Sequence, residues 1–472
     1  MSDDDPFEFL PDELRNMLES LGGAEAIVPQ FQSMMFGGGA PTGPVHWDLA
    51  RRIAFQIAAE DDRDPTPDEV EAATSAHQLA ELWLDEGDLP APADLGSFLV
   101  TRRTGWVDAA LQSMRPVVEP VAAASTRAMT ELATDQGGFD AAGLPPGLGD
   151  LLGGMDLGAM MRPVAATMAG MQVGQVVGQL SRTLLGQYDL GIPTAPRATA
   201  MHLAVNVHDV FDGWDLDPRE VQMALALHEG AHRRLFHAVP WLEAHIHGLV
   251  ATFANGTRVD PEQLQGIAEE LMRGVDPDDP EGMQDAMSRA AEFRLQPTED
   301  QQRVLRRLQG VVLLVGSWAR HEAARAGATR LGSLEQISEI LRRRRATHSD
   351  GEALLARLLG LDLKPDDESV GDSFLETVSA GRGTAGLREA LAHPENLPDL
   401  DELADPSQWL LRMAAADSLP DDPSALFGDL GDAPVEASAA QRLAEHADEG
   451  QSTTSDESPD EPSGESSDEP DA

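Results

Sequence analysis

The 472-residue chain contains no cysteine, which excludes disulfides, thiolate metal sites and cysteine nucleophiles. Any zinc centre must therefore be built from His, Asp, Glu and water. Lysine is nearly absent as well: Lys364 is the only one, and arginine carries almost all of the positive charge. Against 34 basic residues stand 82 acidic ones, for a formal net charge of -48. A surface of that sign repels phosphate backbones and anionic lipids, so neither nucleic acid nor a membrane is expected as a partner. Long apolar runs are missing too. The best membrane-spanning candidate, Met160 to Leu185, contains Arg162, Gln172, Gln175, Gln179 and Arg182, a polar load that favours a buried helix instead. The N-terminal MSDDDPFEFL has neither the basic nor the apolar region of a signal peptide, so the expected location is cytoplasmic.

What is present is helical periodicity. From VHWDLARRIAFQIAAE onward, apolar residues recur at helix spacing, interrupted by Pro-, Asp- and Gly-rich turns, and the expected fold class is mainly α. In the candidate helix near residue 170, Gly170, Gly174 and Gly178 stand four apart, which lets another backbone come close. The stretch ATAMHLAVNVHDVF, Ala198 to Phe211, partly alternates apolar and polar residues before Asp212-Gly213 and is the best strand candidate. The chain ends in QSTTSDESPDEPSGESSDEPDA, almost free of apolar residues, a composition that cannot bury a core. The expected organisation is a mobile N-terminal arm over residues 1–43, a folded domain over 44–415 and a disordered acidic tail over 416–472.

The chemistry concentrates in one helix. Asp217-Pro218-Arg219-Glu220 reads as a helix start, with Asp as N-cap, Pro at the first helical position and Glu three residues after the cap. The helix should run through VQMALALHEGAHRRLFHAV and stop before Pro240. Val221, Leu225, His228, His232 and Leu235 fall on one stripe at the 3.6-residue period, so both histidines face inward. Two imidazoles one turn apart can hold one zinc ion, and Glu229 in the same His-Glu-x-x-His pattern can act as general base. The reaction so indicated is zinc-assisted hydrolysis of a peptide bond. The bland alternative is two core histidines flanking a surface Glu. Gly230 costs roughly 1 kcal/mol of helix propensity and suggests room for substrate or a neighbouring helix. A third ligand is required, and His237, His245, His247, His321 and Glu322 are the downstream candidates.

A longer set of segments carries a resemblance. In order, GPVHWDLARRIA, LAELWLD, GWVDAAL, GQYDLGIP, MHLAVNV, LALHEGAHRRLFHAVPWL, RRLQGVVLLVGSWARHEA, LRRRRA, LLGLDLK and HPENLPDLDELADPSQW resemble the actinobacterial zincin-like metallopeptidases. That family was long a domain of unknown function and is often named zinc-dependent metalloprotease. The resemblance spans roughly Pro44 to Met413. It implies a zincin-like helical domain with a short strand or small sheet beside the active-site helix, one zinc ion, and a peptide or protein substrate. His228 and His232 would be the zinc ligands and Glu229 the catalytic base. The strand-like MHLAVNV would form the edge along which an extended peptide lies. In the family a later helix reads L-V-E-G-W, and its Glu is the natural third ligand; here the matching residues are Leu314-Val315-Gly316-Ser317-Trp318. Glycine at 316 implies a weakly held zinc ion. The expected function is zinc-dependent metallopeptidase or hydrolase, and the alternative is a catalytically silent zincin-like protein that binds a peptide or protein partner.

Overall fold

In a computed structural model, the structure describes residues 43–92, 97–135, 157–196, 199–256, 297–347, 349–359 and 368–417. Apart from their innermost residues, the expected arm over 1–43 and tail over 416–472 lie outside the described residues. The compact unit comprises Met1–Leu411, and Arg412–Ala472 form a second unit.

The first helices are α1 (Trp47–Ala58) and α2 (Pro67–Leu84), followed by strand β1 (Ser97–Thr101) and the long α3 (Arg103–Asp135). Next come α4 (Leu157–Thr183), β2 (Thr199–Leu203), α5 (Ala204–Phe211), α6 (Pro218–Ala238) and α7 (Leu242–Asn255). The remainder consists of α8 (Glu299–Gly327), α9 (Leu334–Ala346), α10 (Asp350–Leu359), α11 (Ser369–Ala390), α12 (Leu400–Ala404) and α13 (Pro406–Asp417). The mainly α expectation holds, and the sheet is small: β1 and β2 pair in parallel, with Ser97 opposite Thr199 and Thr101 opposite Leu203.

The candidate membrane segment is α4, and no helix among the described residues is long and apolar enough to cross a membrane. Its glycine stripe receives α1. A Cβ at Gly170 would lie 2.6 Å from the His46 carbonyl oxygen, one at Gly174 2.7 Å from that of Ala50, and one at Gly178 2.7 Å from Ile57 Cβ. Backbone-to-backbone packing of this kind admits no side chain.

One sequence expectation needs correcting. The strand covers only Thr199–Leu203, and Ala204–Phe211 turns at once into α5. The residues Ala204, Val205, Asn206 and Val207 are buried while His208 and Asp209 are exposed, one apolar turn rather than strand alternation. A short mixed run of this length fits either period. Asn206 settles the choice: its amide donates to the carbonyls of Ser181 and Leu184 at 2.8 and 2.6 Å and accepts from Arg103 Nε at 2.7 Å. The strand is not an edge either. β1 pairs with it on one side, and Gly186 bridges antiparallel to His202 on the other, so at His202 both sides of β2 are taken.

The central helix, α6, lies against α2 and α8 and touches α9. Leu227, Ala231, Leu235 and Phe236 on it are fully buried, and burying a large apolar side chain of this kind contributes roughly 1.5–3 kcal/mol. Its start is as the sequence indicates: Pro218 is the first helical residue, and the Asp217 carboxylate accepts from Arg219 N at 2.9 Å. Glu220, however, does not reach back to the cap. It accepts from the N–H groups of Gly332 and Ser333 at 3.1 and 2.7 Å, pinning the turn before α9 to the start of α6. Gly230 makes room for a neighbouring helix, since a Cβ there would meet Leu84 Cδ1 of α2 at 2.7 Å.

The α6–α2 contact is also ionic. Arg233 donates to Glu81 Oε1 at 2.8 Å, and Arg234 donates to Glu81 Oε2 at 2.9 Å and to the Glu81 carbonyl at 2.6 Å. Arg234 further reaches Asp85 at 2.7 Å and the Leu89 carbonyl at 3.0 Å. Both arginine side chains are 2% exposed and that of Glu81 9%, so two buried guanidinium groups share one buried carboxylate, and the half-exposed Asp85 supplies the second negative charge.

Candidate metal centre and cleft

His228, Glu229 and His232 stand on α6 as the spacing predicts. The imidazoles lie with ring centroids 4.5 Å apart at 62°. His232 is 1% exposed, and its Nδ1 lies 3.0 Å from the His228 carbonyl oxygen. A carbonyl can only accept, so Nδ1 carries the proton and Nε2 the lone pair. Nε2 is buried with no hydrogen-bond partner among the described residues. This is the arrangement in which an imidazole meets a metal, one nitrogen oriented by a carbonyl and the other open.

Burial lowers the pKa of His232 to about 4, with further depression from Arg320 and Arg345. That of His228 lies well below its ordinary value, through burial first and then through His232, Arg345 and Arg320. Both rings are neutral at pH 7, the form a metal requires. Two neutral imidazoles thus stand side by side on α6.

Among the described residues, no three His, Asp or Glu side chains form a group able to hold a metal. His237 Nδ1 lies 2.9 Å from the Arg233 carbonyl oxygen, and His245 stacks edge-on against Trp241; neither joins the pair. Glu322 is buried but turned to Arg325, 2.9 Å away, and packed over Gly87. Gly316 is half-buried on α8, and a Cβ there would meet nothing within 4 Å except Arg320 Nη1 at 3.4 Å. Where the resemblance calls for a carboxylate, a guanidinium stands nearby.

Glu229 is not the surface residue of the bland reading. Its carboxylate accepts from the backbone N–H groups of Gln187 at 3.1 Å and Tyr188 at 3.2 Å. Burial, and then Asp189, push its pKa up to about 8 against the opposing pull of those two N–H groups. Gly186 is required here: a Cβ would sit 2.5 Å from Glu229 Cδ. Gly186→Ala should therefore drive the carboxylate off its two donors and lower stability by roughly 1–3 kcal/mol, read as a shift in the urea midpoint; an unchanged midpoint would mean the grip is not formed.

The segment that supplies these donors is itself tied down. Asp189 accepts from Leu185 N at 2.6 Å, Thr194 donates through its hydroxyl to the Gln187 carbonyl at 2.7 Å, and Leu203 N donates to the Leu185 carbonyl at 2.9 Å. Tyr188, the only tyrosine of the chain, stacks on His232 with centroids 5.4 Å apart and on Phe236 at 5.5 Å. Composition and spacing give no sign of this role; the only trace in the sequence is that GQYDLGIP belongs to the resemblance.

Beside His228 opens a cleft of about 880 Å³ between α6, α8, α9 and α11, whose wall includes Arg320, His321, Arg345 and Glu368. Its lining contains no residue of β2. The arginines and Glu368 were not foreseen from the motif.

No curated protein matches the chain. Among solved structures, a candidate hydrolase with a novel fold from Chloroflexus aurantiacus is similar, with a TM-score of 0.53 and 21% identity over 80% of this chain and 100% of that one; the likeness is one of fold. Residues 45–410 match the model of the zincin-like metallopeptidases, and since that span takes in most of the chain, including the paired histidines, the half-buried Glu229 and the cleft beside them, the protein belongs to that family.

Proposed function

We propose that this protein is a zinc-dependent hydrolase of peptide bonds that uses His228 and His232 as metal donors and Glu229 as general base. The observation that carries the reading is His232 Nε2, buried, without a hydrogen-bond partner among the described residues and fixed in its lone-pair form. Zinc, when bound, supplies Lewis acidity to the scissile carbonyl and to the attacking water. The chain does the rest. The His228 carbonyl holds the His232 ring in one tautomer, Tyr188 covers its face, and Glu229, once deprotonated, takes the proton of the water and returns it to the leaving amine.

Two measurements test this. Glu229→Gln should lower peptidase activity on the order of 100-fold or more while leaving zinc content unchanged; equal activity sinks the assignment of the base. In the metal-free protein, an infrared difference titration against Glu229→Gln should show one carboxyl losing its proton near pH 8, since its pKa is raised to about 8. A divalent cation nearby favours the carboxylate, so saturating zinc should move that step to lower pH. An unmoved step would place the metal elsewhere.

A second reading has its own support. Gly316 beside Arg320, with no third donor among the described residues, favours a catalytically silent relative that holds a peptide or protein partner in the same cleft. Zinc titration of the wild type separates the two.

A further inference from the structure

The cleft beside His228 has a chemistry that the histidines do not account for. Arg320 Nη1 and Arg345 Nε share a single oxygen, Oε2 of Glu368, at 3.3 and 3.2 Å. Both arginine side chains are largely enclosed, 21% and 18% exposed, as is Glu368 at 24%. The other carboxylate on Arg320, Asp372 at 3.0 Å, is 52% exposed. Water screens that outer pair, so the inner end of the cleft holds two guanidinium charges on one enclosed carboxylate.

Arg345 is also incompletely used. Its hydrogen bond goes out through Nε, and its two terminal nitrogens make none among the described residues. Burial, with Arg320 next to it, works against its charge more than Glu368 and Asp189 favour it, a cost that an incoming anion would offset. A guanidinium edge with free terminal nitrogens matches a carboxylate, one N–H donating to each oxygen. The rim is acidic on balance, with Glu335, Glu339, Asp372 and Glu376 against Arg342 in the same lining. A compact single anion on a neutral or basic body passes such a rim, whereas a polyanion is repelled.

We propose that Arg345, with Arg320 beside it, binds the free C-terminal carboxylate of a peptide, so that the last peptide bonds of that chain lie along His228. The inference rests on the peptidase reading for the nature of the ligand and adds the class of substrate: peptides recognised by their C-terminal end. A volume of about 880 Å³ lies within the usual range of ligand sites and accommodates several residues.

The test is made on binding, without turnover. The full chain carrying Glu229→Gln, stripped of metal, is titrated by calorimetry with a mixed-sequence hexapeptide pool having free C-termini, and with the same pool as C-terminal amides. The free acids should bind about 10- to 100-fold more tightly, the factor expected for charge-assisted hydrogen bonds. Adding Arg345→Gln should bring that ratio near one with little change for the amides, and Arg345→Lys should restore part of it. Melting curves report whether the variants fold, and the acid-to-amide comparison stands even if they do not. Equal affinity for acids and amides, including no binding of either, overturns the proposal, as does a ratio that survives Arg345→Gln. Inorganic phosphate bound in preference to the free acids also overturns it, in favour of a phosphate site. Failure of zinc binding or of catalysis in the wild type leaves this ratio untouched, so the two readings fail separately.

Discussion

Gly316→Glu should raise zinc affinity about 100-fold or more, measured as the metal retained after dialysis against graded chelator. Loss of an outer-shell partner alone typically changes metal affinity 10- to 100-fold, and a direct ligand is expected to act at least as strongly. There is room for the side chain, because nothing but Arg320 Nη1, at 3.4 Å, stands within 4 Å of the Cβ position. That neighbour is also the obstacle. A carboxylate at 316 and the guanidinium at 320 are one helical turn apart and would pair, which competes with metal binding. Combining Gly316→Glu with Arg320→Gln should therefore bind zinc more tightly than Gly316→Glu alone, and His232→Ala in that background should abolish the gain. If the wild type already holds zinc as tightly as Gly316→Glu, the silent-relative reading falls and the third donor must come from outside the described residues. If only Gly316→Glu binds, the peptidase reading falls.

The largest expected loss of stability is at a residue remote from the motif. Glu81→Ala should cost roughly 3–5 kcal/mol, because removing one partner of a buried ion pair leaves an uncompensated charge in a low-dielectric interior. Here the carboxylate removed is one that two guanidinium groups share, Arg233 and Arg234, and the half-exposed Asp85 also pairs with the second. The midpoint of chemical denaturation checks this. Asp108→Ala, which breaks the exposed pair with Arg51, serves as the control and should leave the midpoint where it was. The comparison would also bear on the site: Arg233 and Arg234 directly follow His232, so the pairing with Glu81 sets how α6 lies against α2. A Glu81→Ala protein that melts like the wild type would show that the arginines find water or other partners at no cost.

Those residues mark where sequence reading succeeds and stops. The bounds of α6, its cap and its inward histidines were legible because each rests on local spacing: Asp217 and Pro218 at the start, Pro240 beyond the end, and a stripe every three or four residues between. The glycines at 170, 174 and 178 were legible in the same way. The end of β2 was not, since Ala204–Phe211 satisfies both periods and the outcome turns on where Asn206 finds its carbonyl partners, more than twenty positions upstream. Nor was the state of Glu229. Its donors are backbone N–H groups 42 and 41 positions earlier, and a backbone group has no sequence signature. The Arg320–Glu368–Arg345 arrangement likewise joins three separate helical segments. Gly316 was singled out by resemblance alone, and its surroundings give that observation a physical content: an open Cβ position with a cation beside it.

The single tyrosine has a practical corollary. Because Tyr188 is the only residue of its kind in 472 and lies face to face with His232, supplying fluorotyrosine during expression installs one resonance at the centre of the molecule without a mutation. Ring currents and charge at the imidazole act on that nucleus directly. Titrations with zinc, with peptide or with acid can each be followed through one line whose assignment is given in advance.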